Sequence, residues 1–137
     1  MVRKAEHKDA DAILSLAKDF ATSFVIEEKA FRASVIALLA DPSTHVAVAE
    51  TKEGIIGYVV VFSHNTFYAN GRVAWVEEIM VHANRRKQGI GKSLMQDVET
   101  WASGQGCKLI ALATRRAANF YEALNYQASA TYYRKVL

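Results

Sequence analysis

The run Arg86-Lys87-Gln88-Gly89-Ile90-Gly91-Lys92-Ser93 has the residue types and spacing of a turn that binds an anion. When a strand leads into a glycine-bearing turn and then a helix, several free backbone N–H groups converge on a phosphate, helped by the positive end of the helix dipole. Glycine lets the backbone approach closely. Spacing separates the known turns of this kind. A nucleotide-binding P-loop needs Gly-x-x-x-x-Gly-Lys-Ser/Thr; Gly91-Lys92-Ser93 supplies its end, but Arg86 stands where the first glycine must be. A dinucleotide fingerprint needs Gly-x-Gly-x-x-Gly with an acidic residue about 20 positions on. Leu94 replaces its third glycine, and the surroundings of Ile110 are apolar. The pattern Arg/Gln-x-x-Gly-x-Gly/Ala remains, and Arg86 to Gly91 meets it in full.

Such a turn needs a strand before it and a helix after it. Val73 to Val81 reads as the strand, entered through Asn70-Gly71, a strong hairpin dipeptide. Before it, His45 to Glu50 and the Val- and Ile-rich Ile55 to Phe62, joined at Lys52-Glu53-Gly54, predict a hairpin, so three consecutive strands run antiparallel. After the turn, Leu94, Met95, Val98, Trp101 and Ala102 recur at helical spacing, and Gly104-Gln105-Gly106 stops the helix. Lys108 to Ala113 then reads as a buried strand, Ala117 to Leu124 as a helix and Thr131 to Val136 as a last strand.

The first third of the chain predicts a strand over Val2 to Ala5 and a helix with Ile13, Leu14, Ala17 and Phe20 on one face, capped by Asp9. A second helix from about Glu27 to Ala40 carries Phe31, Val35, Leu38 and Leu39 as its apolar stripe and ends at Asp41-Pro42-Ser43. The order of elements predicts an α/β (α+β) fold with a mixed, mostly antiparallel sheet and helices on its faces. No repeat or linker interrupts residues 1–137, which are expected to form a single domain.

Composition excludes several classes. The lone cysteine, Cys107, permits no internal disulfide and fits a small buried apolar residue. The first residues lack the apolar core of a signal peptide, and the longest apolar run, Ile55 to Phe62, falls far short of the roughly 20 residues a spanning helix needs. A cytoplasmic protein without a membrane partner is expected. The net charge of +3 does not imply nucleic acid, and the aromatics do not interleave with the basic residues as a stacking platform requires. Arg85, Arg86, Lys87 and Lys92 crowd one stretch, and Arg115 with Arg116 form another; on charge alone both read as solvated basic patches.

On these residues the chain resembles the GNAT superfamily of acyl-CoA N-acyltransferases. Val76-Glu77-Glu78-Ile79-Met80-Val81 is similar to that family's fourth strand, at the usual distance before the turn. Ala117-Ala118-Asn119-Phe120-Tyr121-Glu122-Ala123-Leu124-Asn125-Tyr126 is similar to its Ala-x-x-Phe-Tyr-x-x-x-Gly-Phe segment. The resemblance covers Val73 to Val136; the first half agrees only in the order of its elements. Asn125 stands where the family usually has glycine, and Asn tolerates a left-handed backbone. Thr114 stands where many members carry an asparagine that helps hold the coenzyme.

The resemblance implies a GNAT-like fold opened between its fourth and fifth strands. Its donor would be acetyl-CoA, with no metal. The coenzyme would lie along Ile79, Met80 and Val81, with its pyrophosphate on Arg86, Lys87, Gln88, Gly89, Ile90, Gly91, Lys92 and Ser93. Thr114, Asn119 and Tyr121 would complete the contacts. Arg115 and Arg116 either reach its phosphates or remain solvated.

Transfer of an acetyl group to a primary amine, by direct attack in a ternary complex, needs a base, because an amine with pKa near 10 is mostly protonated at neutral pH. Glu77 and Glu78 are the candidates. Alternation puts them on opposite faces, and a bulge would reverse which one faces the site; Glu78 is favoured. His82 is a weaker candidate and fits a solvated turn residue. Negative charge on the thioester oxygen needs a donor, which the resemblance puts at a backbone N–H near Met80 or Val81. It also makes Tyr121 the acid that reprotonates the leaving thiolate, although Phe120-Tyr121 fits a purely structural core as well.

The acceptor, a small-molecule or peptide amine, is not legible. The first two helices, the loop from His64 to Asn70 and the last strand would shape its site. Phe20, Phe24, Phe31, Tyr132 and Tyr133 could line it, with apolar packing the expected use of most of them. The oligomeric state is open, a homodimer included. An acyl-CoA-binding sensor that keeps the cradle without catalysis is the alternative.

Overall fold

Strands rich in Val, Ile and Ala build the centre of the molecule, because buried β-branched side chains pack well on a pleated surface. A computed structural model describes residues 1–21 and 23–137. Its strands are β1 (Val2–Lys4), β2 (Thr44–Thr51), β3 (Gly54–Asn65), β4 (Arg72–Val81) and β5 (Cys107–Leu112). Its helices are α1 (Ala10–Phe20), α2 (Glu28–Ala40), α3 (Ile90–Gly104) and α4 (Ala118–Ala123), with short 3-10 turns at His7–Asp9 and Ala83–Arg85.

The strands form one sheet in the order β1-β2-β3-β4-β5. The first four pair antiparallel and β5 pairs parallel to β4, so the expected mixed sheet is present. The expected β3–β4 hairpin forms, but through a six-residue loop from Thr66 to Gly71 closed by the Thr66 N–H on Gly71 O at 2.9 Å, rather than a tight two-residue Asn-Gly turn; Asn70 (φ 61) and Gly71 (φ 149) take positive φ at its end.

Each face of the sheet carries its own core. On one face Leu94, Met95, Val98 and Ala102 of α3, together with Tyr121 of α4, pack on Ala47, Val59, Val61, Ala74 and Val76. On the other, Ile13, Leu16 and Ala17 of α1 cover Val46, Val48, Tyr58, Val60 and Met80, with Phe31, Leu38 and Leu39 of α2 at the margin. The helices therefore flank the sheet on both sides.

Four expectations need correction. The strand expected to be buried after α3 is β5, an edge strand with Lys108 and Leu109 exposed and its other residues half-buried. Thr131 to Val136 forms no strand. Two tyrosines followed by Arg134 and Lys135 do not alternate apolar with polar, so the segment has no single face to bury and no register to hold. Tyr132 instead stacks on Trp75, with ring centroids 6.3 Å apart, and the Arg134 guanidinium donates to Ser23 Oγ at 3.0 Å. Next, Asp9 stands at the start of α1 but makes no side-chain cap. Its carboxylate accepts from both terminal nitrogens of Arg3, at 2.8 and 2.9 Å, and from the Glu6 N–H at 2.8 Å, a preference set by charge and by the 3-10 turn ahead of the helix. Finally, Phe20 leaves the buried face of α1 at the helix end, and it, Phe24, Tyr132 and Tyr133 are exposed rather than packed into the core.

Candidate active site

The site is built on β4, and its shape originates in one extra residue. Val61 lies opposite Val76 but Val60 lies opposite Glu78, so Glu77 is a β-bulge. Regular alternation from Ala74 and Val76 would direct Glu78 and Met80 toward α3. The bulge instead brings Ile79 and Val81 against the α3-side core and turns Met80 into the α1-side core.

Glu78 shares the α1 side with Met80. There its Oε1 accepts a 2.7 Å hydrogen bond from the Tyr58 hydroxyl on β3. Tyr58 is 1% exposed. Burial first, and then the Glu78 carboxylate, hold its phenol well above the ordinary range, so it stays a donor. Glu77 is exposed and accepts from Trp75 Nε1 at 2.8 Å.

Neither Tyr58 nor Trp75 is among the site residues expected from the sequence. Tyr58 did leave a signal: it is the one phenol within a Val- and Ile-rich strand, and a buried tyrosine hydroxyl needs a partner. Trp75 left none, because its neighbours Glu77 and Tyr132 are set by the bulge and by the path of the chain end.

The sheet opens where the bulge lies. Pairing with β5 ends at Val76 opposite Leu112, and among the described residues Glu77 to Val81 continue without a strand partner on that side. The end of pairing coincides with the bulge, and a bulge bends its strand and increases its twist. The opening expected between the fourth and fifth strands is therefore present.

The outward groups at this opening follow from the ladder. His82 N–H donates to Ile56 O at 2.8 Å, so alternate pairing leaves Val81 opposite Gly57 and Ile79 opposite Val59 as non-hydrogen-bonded pairs. Val81 and Ile79 then direct N–H and C=O away from β3, into the opening, while the backbone of Met80 faces β3. Between the two oxyanion donors expected, Met80 and Val81, only Val81 has an outward N–H.

The turn after β4 carries two left-handed residues, Lys87 (φ 62) and Gly89 (φ 82), and Gly89 is the N-cap of α3. Past the 3-10 turn the Ser93 N–H bonds Gly89 O at 3.0 Å. Among the described residues, no acceptor lies at hydrogen-bonding geometry from the N–H groups of Lys87 and of Gly89 through Lys92. These groups and the positive end of α3 fit a pyrophosphate.

The glycines have different reasons to be there. Gly89 needs its positive φ, and a Cβ on it would meet nothing within 4 Å. A Cβ on Gly91 would lie 3.2 Å from Phe120 Cζ, so Gly91 lets α4 dock against the start of α3.

Several side chains of the turn have partners of their own. Arg86 Nε donates to Val81 O at 3.2 Å, strapping the turn to the end of β4. Arg85 pairs with Glu53 at 2.9 Å and reaches Gln88 Oε1 at 3.2 Å. Ser93 Oγ donates to Gly89 O at 3.1 Å. Lys87 and Lys92 are exposed, and His82 Nδ1 accepts from Asn84 N–H, which makes it a turn residue.

Tyr121 is 8% exposed, with Phe120 and Tyr126 edge-on to its ring, and burial raises its phenol above the ordinary value. It lies on the α3 face of the sheet, whereas Glu78 lies on the α1 face. Thr114 Oγ1 accepts from Ala117 N–H at 3.0 Å at the entry to α4. Arg115, Arg116 and Asn119 are exposed nearby. Asn125 has φ 70, the left-handed conformation expected at that position.

Residues 42–128 match the family model described as an acetyltransferase (GNAT) domain. The chain is 31% identical over 145 residues to a thialysine N-epsilon-acetyltransferase of Bos taurus, covering 93% of this chain and 84% of that protein. Among solved structures, a transcriptional regulator from Bacillus halodurans C-125 superimposes with a TM-score of 0.89 at 23% identity, over 100% of this chain and 99% of the other. Glucosamine-6-phosphate N-acetyltransferase from Arabidopsis thaliana also gives 0.89, at 18% identity over 99% and 97% of the two chains. At these identities the structural matches establish the fold.

Proposed function

The chain belongs to the GNAT acetyltransferases, and from that premise we propose that it transfers an acetyl group from acetyl-CoA to a primary amine by direct attack in a ternary complex. The observation that carries this reading is the edge of β4, unpaired with β5 from Glu77 to Val81 and followed by a turn in which, among the described residues, the N–H groups of Lys87 and of Gly89 through Lys92 have no acceptor at hydrogen-bonding geometry. A cradle alone would bind an anion. A cradle continuous with an open strand edge that bears a carboxylate can also bring an amine to the bound group.

Acetyl-CoA, when bound, supplies the activated acetyl thioester. The N–H groups of Lys87 through Lys92 would hold its pyrophosphate, with Thr114 and Asn119 beside it. Glu78, on the α1 face, accepts the proton of the amine. Glu77 is the less suited base, because its carboxylate is exposed and held by Trp75. The outward N–H of Val81 donates to negative charge developing on the carbonyl oxygen. Tyr121, on the opposite face, keeps its phenolic proton through physiological pH and gives it to the departing thiolate. The named relatives act on thialysine and on glucosamine 6-phosphate, both small primary amines, which supports an acceptor of that class.

The test is thiol release from acetyl-CoA against a panel of small amines, amino acids and peptides, with coenzyme binding followed by calorimetry. Turnover of at least one amine is expected. Tight coenzyme binding with silence across the panel would overturn the reading and leave an acyl-CoA sensor.

A further inference from the structure

We infer that Tyr58 is a positioning residue for the reaction, holding Glu78 in the one orientation in which its second carboxylate oxygen can take the proton of the amine. This rests on the reading of Glu78 as the base. Tyr58 sits in the middle of β3, fully buried between Val48, Val60 and Met80 and the covering helix α1, with its hydroxyl 2.7 Å from Glu78 Oε1. A ring packed at near-native density has no freedom to swing, so its hydroxyl is a fixed point. Glu78, in contrast, is a long, half-buried side chain with several rotatable bonds, on the stretch of β4 that β5 does not pair. Tying Oε1 to a fixed donor removes rotamers the free side chain would sample, which is the ordering that preorganised sites require.

The hydrogen bond also has an asymmetry. Among the described residues no donor reaches Oε2, so the carboxylate keeps one bonded and one unoccupied oxygen. The bulge makes this possible, because it turns Glu78 to the face that carries Tyr58. α1 presents the apolar Ile13, Leu16 and Ala17 to this face, and the Tyr58 hydroxyl is the donor that reaches Glu78 there.

The test uses Tyr58→Phe, which keeps the ring and removes only the hydroxyl. Coenzyme affinity measured by calorimetry should be unchanged, which shows that the fold is intact. On a turned-over amine kcat should fall about tenfold, the worth of one hydrogen bond to a charge, while KM for acetyl-CoA stays unchanged. In a Glu78→Gln background, Tyr58→Phe should cost no further activity, as expected for a residue that acts through Glu78.

If Glu78→Gln itself leaves kcat unchanged, the base is misassigned, and the role of Tyr58 falls with it. If Glu78→Gln lowers kcat but Tyr58→Phe does not, or the two losses add in full, Tyr58 is packing only and the inference is wrong while the base stands.

Discussion

At the scale of single residues, each group at the site is explained by a different kind of constraint, and the constraints separate in experiment. Gly89 is required by its positive φ, so Gly89→Ala should cost about 1–2 kcal/mol of stability and weaken coenzyme binding. Gly91 is required by the Phe120 ring, so Gly91→Ala should destabilise by about 1–3 kcal/mol through overpacking. Thermal unfolding distinguishes the two: Phe120→Leu should suppress the effect of Gly91→Ala and leave that of Gly89→Ala untouched. For the carboxylates, Glu78→Gln should lower kcat by about 10² to 10⁴, the usual worth of a general base. Glu77→Gln should lower it less than about tenfold, because Glu77 is exposed and bound to Trp75. Steady-state kinetics on any turned-over amine ranks them, and equal losses would overturn the assignment. The signals in these residues were uneven. A glycine in a turn and a carboxylate on a strand can be read directly, but the partner of Glu78 lies on another strand, 20 residues away.

At the scale of elements, β4 shows most clearly where reading a sequence stops. Its span, its hairpin entry and the helix after it follow from Val- and Ile-rich spacing, Asn70-Gly71 and the heptad-like recurrence from Leu94. The bulge at Glu77 does not, because regular alternation and a bulge both accommodate Val-Glu-Glu-Ile; which one forms depends on what β3 and α3 pack against it. The bulge and the end of pairing with β5 coincide at Val76, and that coincidence can be tested. Deleting Glu77 should restore a regular ladder while Glu78 keeps its place opposite Val60. The protein should remain folded by circular dichroism, with coenzyme affinity reduced more than about tenfold because β4 no longer bends away from β5. Undiminished affinity would separate the splay from the bulge. The segment Thr131 to Val136 errs the other way: its residues favour strands, but without alternation nothing ties them to an edge.

At the scale of the whole molecule, two cores and an ionic strap keep the site's frame together. Arg3 of β1 reaches Asp9 ahead of α1 and, through Nε at 2.9 Å, Glu50 of β2, so one guanidinium joins the edge of the sheet to the first helix. Asp9 is 5% exposed, and its hydrogen bonds from Arg3 are the first cause holding its carboxyl below the ordinary value near 3.8. A carboxyl depressed in the folded state contributes stability that is fully present above that ordinary value and is lost as the pH falls through its folded value. The melting temperature should therefore drop as the pH is lowered from about 5 toward 2. Asp9→Asn should melt lower than the parent at pH 7 and lose less on acidification, and a parallel pH profile would remove Asp9 from this role. By itself the sequence determined the order of the elements from β1 to α4, the glycine-bearing turn between β4 and α3, the positive φ at Asn70 and Asn125, and the family resemblance, because these depend on local backbone preference and short-range spacing. Only the tertiary structure decided which glutamate turns toward α1, which backbone N–H points into the opening, why Gly91 must be small, and that Tyr58 holds Glu78. Each of those depends on contacts between strands and helices far apart along the chain, which local spacing does not encode.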